Sequence, residues 1–276
     1  MNPFEQFDLS GKKALVTGGA TGLGFRMARA LGRAGAKVLI VARRDDVLAK
    51  AADELRREHG VKAVEWRHVD LHDRASIDTL AAYGNGAFGG VDIMVGNAGS
   101  LVPEQLVDLT HKGIDDAIQL NLTANMHLAR AFLPGMRDRR WGRFLFSSSI
   151  ASNFVSPLEG NGAYAAAKAG LNAFARSIAA DLGRHNITAN SLVLGLFVTD
   201  ILEAAIDQLK QAHGPEAAQK LIDTFTASTA TGRLGKPSEL EGIVQLLASE
   251  AGSYITGQSI PVDGGMSIMM RPFPQS

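Results

Sequence analysis

The sequence predicts an α/β fold in which a doubly wound, parallel, seven-stranded sheet carries helices on both faces. Three observations lead there. Short apolar runs bounded by glycine or charge recur seven times along the 276 residues. Amphipathic stretches with helical spacing fill the intervals between them. The alternation continues to the carboxyl end without a linker, repeat or low-complexity segment, which makes successive strands parallel and covers both faces of the sheet. One domain spanning 1–276 is expected.

Taken in order, "KALVT" at 13–17 reads as the first strand, and the glycine-rich "GGATGLG" after it leads into a helix near 23–33. "KVLIVA" at 37–42 is the second strand. The helix near 45–58 opens on Asp45 and Asp46, carboxylates that suit the positive end of a helix dipole. "AVEWRHV" at 63–69, a helix near 73–88, "VDIMVG" at 91–96 and a long helix over 113–138 follow. "GRFLFS" at 142–147, a helix over 163–183, "ITANSLV" at 187–193, a helix over 238–248 and "SIPV" at 259–262 complete the pattern. One segment breaks the rhythm. After Thr199, "DILEAAIDQLKQAHGPEAAQKLIDTF" is amphipathic helix with no strand before "GRLGKPSEL". An insertion at the carboxyl ends of the strands is placed to cover a ligand, so a helical substrate lid is expected at about 200–231, with an ordinary packing pair of helices as the alternative.

Bulk composition excludes several classes of function. Lys plus Arg equal Asp plus Glu at 28 each, so no excess charge draws nucleic acid or an anionic membrane. There is no cysteine, which rules out disulfides, zinc–thiolate sites and thiol catalysis. The start, "MNPFEQFDLSGKK", lacks the apolar core of a signal peptide, and nothing approaches the ~20 apolar residues that cross a bilayer. A cytoplasmic location is the expectation. The histidines are scattered without ligand spacing, so no metal is expected.

The turn after the first strand is the first carrier of chemistry. Gly18, Gly19, Gly22 and Gly24 permit a tight turn and let backbone N–H groups approach a pyrophosphate, which then rests on the positive end of the next helix. The end of the second strand reports which dinucleotide is bound. A carboxylate there would grip the ribose 2′-hydroxyl of NAD(H), whereas arginine accommodates the 2′-phosphate of NADP(H). Ala42 occupies that place, followed by Arg43 and Arg44, whose planar guanidinium groups suit a phosphate, so NADP(H) is preferred.

"GAYAAAKAGLNAF" at 162–174 is the second carrier. Tyr164 and Lys168 stand four residues apart and share a helical face, so a phenol and an ammonium reach one point. The preceding strand delivers Ser149 near its end, fifteen residues before Tyr164. Reduction of a carbonyl by hydride builds negative charge on oxygen, so a proton donor and a preorganised hydrogen-bond donor beside it both lower the barrier. A tyrosine of ordinary pKa, ~10, suits neutral pH poorly, and a neighbouring lysine cation stabilises the phenolate.

These motifs, with "TGGATGLG" at 17–24, "VDL" at 69–71, "GNAG" at 96–99, "QLNLTAN" around Asn121, "GLFVT" at 195–199 and "GRLGKPSELEGIVQLLASEAGSYITGQSIPVDGG" at 232–265, resemble the short-chain dehydrogenase/reductase family over essentially the whole chain. The likeness is greatest to its single-domain ketoacyl-reductase and gluconate-dehydrogenase-like members. The resemblance implies a Rossmann fold and a catalytic tetrad of Asn121, Ser149, Tyr164 and Lys168. In that tetrad Tyr164 is the general acid/base and Ser149 binds the carbonyl oxygen. Lys168 also holds the nicotinamide ribose, and Asn121, at a disturbed helical turn, holds a water that links Lys168 to solvent. It further implies dinucleotide contacts from Gly18, Thr21, Gly22, Leu23 and Gly24 in the turn and from Asp70 and Leu71 near the adenine. Asn97 and Gly99 would lie along the dinucleotide, and the backbone around Phe197 with Thr199 at the carboxamide. Relatives are usually homotetramers.

The expected activity is thus NADP(H)-dependent interconversion of a ketone and a secondary alcohol on a small molecule, either a sugar acid or polyol or a β-ketoacyl thioester. An NAD-linked dehydrogenase and a non-catalytic dinucleotide-binding regulator are the alternatives. Three features depart from the family pattern. Leu194 replaces the proline that usually precedes Gly195, which leaves that loop less constrained. The interval from Ser149 to Tyr164 is about two residues longer than usual, with the excess in "SPLEGNGA" at 156–163. The apolar tail "MSIMMRPF" at 266–273 suits burial at an interface or closure of the site.

Overall fold

The computed structural model describes residues 3–101, 105–153 and 162–269. Its seven strands form one sheet: β1 (Lys13–Thr17), β2 (Lys37–Ala42), β3 (Val64–His68), β4 (Ile93–Gly96), β5 (Gly142–Ser149), β6 (Ile187–Leu194) and β7 (Ser259–Val262). They are parallel throughout and ordered β3-β2-β1-β4-β5-β6-β7. The order reverses between β1 and β4, which opens a crevice beyond the carboxyl ends of those two strands.

Successive residues of each strand point to opposite faces, so a continuous apolar strand feeds two cores at once. On one side Val16, Ile40, Val95 and Leu145 pack against Met27 and Leu31 of α1 (Gly22–Arg33), Leu48 and Leu55 of α2 (Asp45–Arg57), and Val244 and Leu247 of α9 (Glu241–Ala248). On the other, Leu15, Leu39, Met94 and Phe144 pack against three helices. These contribute Ile77 and Leu80 of α3 (Arg74–Asn85), Leu128 and Phe132 of α5 (Ala124–Arg139), and Leu171 and Ile178 of α6 (Gly162–Leu182). At ~25 cal/mol per Å² of apolar surface removed from water, these two layers carry most of the stabilisation.

Two helical predictions change in detail. The helix expected over 113–138 is α4 (His111–Ile118), a π turn at Gln119–Thr123, and then α5. The helix expected over 238–248 begins as a 3-10 turn at Pro237–Leu240. The stretch after Thr199 forms α7 (Asp200–His213) and α8 (Pro215–Ala227), joined at Gly214, whose φ of +85° turns the chain before Pro215 starts the next helix. Leu194 is buried against the first core and pairs with Val262, carrying β6 one residue further.

Candidate active site

The glycine turn is shaped by contacts that leave no room for side chains. Gly18 and Gly22 have φ of +64° and +53°, and a Cβ on Gly24 would run into the carbonyl oxygen of Gly18 and the amide of Asn97. Thr21 caps α1 without a side-chain hydrogen bond, so the first N–H groups of that helix take no cap from it. They face a cleft of about 690 Å³. Gly18, Thr21, Gly22, Leu23, Gly24, Arg43, Arg44, Asp70, Leu71, Asn97, Gly99 and Thr199 all line it. So do residues the sequence reading did not single out, among them His72, Ser100 and Leu120. Phe197, whose backbone is expected near the carboxamide, buries its side chain, and its backbone bridges Gly235. Thr199 both lines the cleft and caps α7, accepting from the N–H of Leu202 at 3.4 Å.

At the mouth, β2 ends at Ala42 and Arg43 and Arg44 stand exposed. Asp45 and Asp46 form the first turn of α2, as expected, and Asp45 is engaged by His68 Nδ1 at 2.9 Å. Among the described residues neither arginine has an ion-pair partner. Two planar cations with their donors unspent thus face the cleft at the end of the second strand.

The four predicted catalytic residues do not line the cleft themselves; two of them, Asn121 and Lys168, stand directly behind its wall at Gly99. Asn121 lies in the π turn and is fully buried; its Nδ2 donates to the carbonyls of Ser100 and Ala117 at 3.0 Å each. Among the described residues its Oδ1 has no partner. A Cβ built on Gly99 would sit 2.5 Å from that Oδ1 and 3.0 Å from Lys168 Nζ, so the orphan acceptor and the ammonium converge on one glycine of the cleft wall. Lys168 is buried and donates to the carbonyl of Ser147 at 2.7 Å. Its Nζ lies 5.5 Å from the centre of the Tyr164 ring. Tyr164 and Ser149 share a hydrogen bond, and Ser149 Oγ also accepts from the N–H of Ala151 at 3.2 Å. Asn121, Ser149, Tyr164 and Lys168 therefore gather from the π turn, β5 and α6 at one end of the crevice.

Electrostatics here differ from the expectation. Burial pushes the Tyr164 phenol above its ordinary pKa of 10.0, opposed by the bond to Ser149. Burial likewise brings the Lys168 ammonium from 10.5 down to about 8. Burial is the first cause for both groups, and Nζ is turned toward Ser147 O, 5.5 Å from the centre of the Tyr164 ring. At neutral pH the lysine remains mostly cationic and the tyrosine protonated, a poised donor pair.

The sequence reading missed several supporting polar groups. Ser147 Oγ lies 3.1 Å from Asn97 Oδ1. Ser152 Oγ donates to the Ser149 carbonyl at 2.6 Å and accepts from Asn172 Nδ2 at 3.0 Å. Most of "SPLEGNGA" and the tail beyond Met269 lie outside the described residues. Among the described residues, Glu54, Glu58 and His59 come within metal-ligand range of one another, at the carboxyl end of α2 and outside the lining of the cleft.

Comparison with known proteins agrees with this architecture. The family model described as enoyl-(acyl carrier protein) reductase matches residues 18–267. The chain is 32% identical to the 3-oxoacyl-acyl-carrier-protein reductase of Vibrio cholerae, over 94% of this chain and 98% of that one. It is 32% identical to the gluconate 5-dehydrogenase of Gluconobacter oxydans, over 96% and 98%. The crystal structure of L-sorbose reductase from Gluconobacter frateurii, complexed with NADPH and L-sorbose, superposes with a TM-score of 0.89 at 29% identity, covering 96% of this chain and all of that one. With a parallel sheet in this order, a glycine turn at its switch point and a family match spanning nearly the whole chain, the protein belongs to the short-chain dehydrogenase/reductase family of oxidoreductases.

Proposed function

We propose that the protein is an NADP(H)-dependent oxidoreductase that interconverts a ketone and a secondary alcohol on a small or medium-sized substrate. The observation that carries this reading is the convergence on Gly99. The cleft, whose glycine cradle fits a dinucleotide, is walled by Gly99, beside which both Asn121 Oδ1 and Lys168 Nζ stand. The two unpaired arginines at its mouth favour a dinucleotide with a 2′-phosphate, and L-sorbose reductase, of the same fold, binds NADPH.

When bound, the reduced dinucleotide supplies the hydride. Tyr164 holds the proton that the carbonyl oxygen takes up, and its raised pKa keeps it protonated at neutral pH. Ser149, hydrogen-bonded to Tyr164, donates to the same oxygen as charge develops there. Lys168 is the buried cation behind the pair and the ligand for the nicotinamide ribose. Asn121, with its unpartnered Oδ1, holds the water through which Lys168 exchanges protons with solvent. The chain acts as one domain, with α7 and α8 as a lid anchored at Thr199.

The enzyme is cytoplasmic and self-associates into a homotetramer. The apolar groove between α5 and α6, lined by Met126, Leu133, Pro134, Phe174 and Leu182, supports the second statement. Sedimentation at micromolar protein is expected to give a tetramer, and a stable monomer would refute it. The catalytic reading is tested by following NADPH and NADH oxidation over keto-sugar acids, β-ketoacyl thioesters, diketones and aromatic ketones, with the Tyr164→Phe variant alongside. Turnover of one class with NADPH, lost in the variant, is the expected result. Absence of turnover with either dinucleotide, in either direction, would overturn the reading.

A further inference from the structure

Ser147, in the middle of the buried sheet and 5% exposed, touches both halves of the site. Its carbonyl oxygen accepts from Lys168 Nζ at 2.7 Å, and its hydroxyl lies 3.1 Å from Asn97 Oδ1. Chemistry sets the orientation of the Asn97 amide. Nδ2 faces the carbonyl oxygens of Thr17 and Gly18 at 3.1 and 3.4 Å, which can only accept, so Oδ1 is the acceptor toward Ser147 and the hydroxyl donates. The amide is wedged beneath the glycine turn, since a Cβ on Gly18 would sit 3.1 Å from Asn97 Nδ2. Thr17 Oγ1 accepts the backbone N–H groups of Asn97 and Ala98 at 3.0 Å each, so the main chain of Asn97 is held whatever its side chain does. The hydroxyl of Ser147 therefore governs the amide alone. The other group near that hydroxyl, Met27 Sδ at 3.9 Å, is a weak acceptor that does not replace it.

We propose that Ser147 is a positioning residue for the dinucleotide: its hydroxyl locks the Asn97 amide, which holds the Gly18 carbonyl and with it the phosphate-binding turn. This rests on the reading of the cleft as a dinucleotide site. The link to Lys168 runs through the main chain and survives any side-chain change at 147, so the hydroxyl acts on cofactor affinity and leaves the proton-donating group in place. A part-buried amide oxygen stripped of its donor costs enough to let the amide reorient and the turn loosen.

The test is NADPH titration, read by tryptophan fluorescence or calorimetry, of the wild-type protein and of Ser147→Ala, Ser147→Cys and Ser147→Thr. It is paired with hydrogen exchange of each protein without dinucleotide. Ser147→Ala is expected to raise Kd and KM for NADPH about five- to tenfold, with kcat within about twofold. Its amides at 17–24 exchange faster, while those at 164–168 do not change. Ser147→Cys, which fills the same space with a weaker donor and guards against a loss of folding, weakens binding in the same direction. Ser147→Thr, which keeps the hydroxyl, binds within about twofold of wild type. Unchanged affinity in both Ser147→Ala and Ser147→Cys overturns the inference, as does faster exchange spread evenly over the sheet. A wild-type protein that binds neither NADPH nor NADH overturns the reading of the cleft itself, and the inference with it.

Discussion

Lys168 provides a quantitative test of how the site is built. The residue is 3% exposed, and among the described residues its ammonium has no carboxylate partner, only the Ser147 carbonyl. Burial lowers its pKa from 10.5 to about 8, whereas in the unfolded chain the group keeps its ordinary value. Below about pH 8 both states hold the proton and the folded protein bears the full cost of the buried cation, on the order of 3 kcal/mol. Between about pH 8 and 10.5 the unfolded chain holds a proton that the folded one has released, so stability from this group rises with pH.

The perturbation is Lys168→Met, which removes the titration. The assay is urea unfolding of both proteins at equal concentration, at about pH 7 and about pH 9.5. Wild-type stability relative to the variant is expected to increase by about 2 kcal/mol between the two conditions. Tyr164, whose raised pKa reduces stability only as pH climbs above its unfolded value near 10, is present in both proteins and cancels. A difference that stays constant with pH, or moves the other way, would refute the claim that Lys168 is buried without a counter-ion.

Other expectations follow from the same geometry. Tyr164→Phe should lower kcat by about 10²–10⁴-fold while NADPH affinity is kept, read by steady-state kinetics beside a binding titration. Ser149→Ala should cost about 10²–10³-fold in kcat, since it removes a donor to the developing oxyanion. Arg43→Ala and Arg44→Ala should each raise the Kd for NADPH by about tenfold and leave that for NADH within about twofold; equal losses for both dinucleotides would argue against a 2′-phosphate contact. Gly24→Ala, which drives a methyl into the Gly18 carbonyl, should destabilise by about 1–3 kcal/mol in thermal unfolding and abolish dinucleotide binding.

Much of this was legible in the chain because the relevant signals are local. The apolar runs at 13–17, 37–42 and 259–262 coincide with β1, β2 and β7, since a buried parallel strand needs nothing beyond a short continuous hydrophobic segment between breakers. The glycines of the turn carry their reason in their own backbone angles. The π turn was not legible: one extra residue per turn between α4 and α5 barely disturbs a hydrophobic period that resumes on either side, and only the family resemblance pointed to a distorted turn at Asn121. The balance of forces on Tyr164 was misjudged for a related reason. Spacing along a helix puts Lys168 on the same face but does not say that its Nζ turns to Ser147 O, a group 21 residues away. The motif names only the backbone around Phe197 and does not say that its side chain packs against Gly235. Ser147 escaped notice because a serine in an apolar strand carries no signal until the fold brings Asn97 against it.

The central claim is that Tyr164 and its neighbours complete a hydride transfer between NADP(H) and a carbonyl carbon. It is tested most directly by incubating the protein with an accepted ketone and NADPH deuterated at the transferable position of the nicotinamide, then analysing the product by mass spectrometry. The account predicts one deuterium on the carbinol carbon of the alcohol formed by the wild-type protein, and at least about a hundredfold less labelled alcohol from Tyr164→Phe over the same time. Alcohol formed without the label, or labelled alcohol formed equally well by Tyr164→Phe, would contradict it.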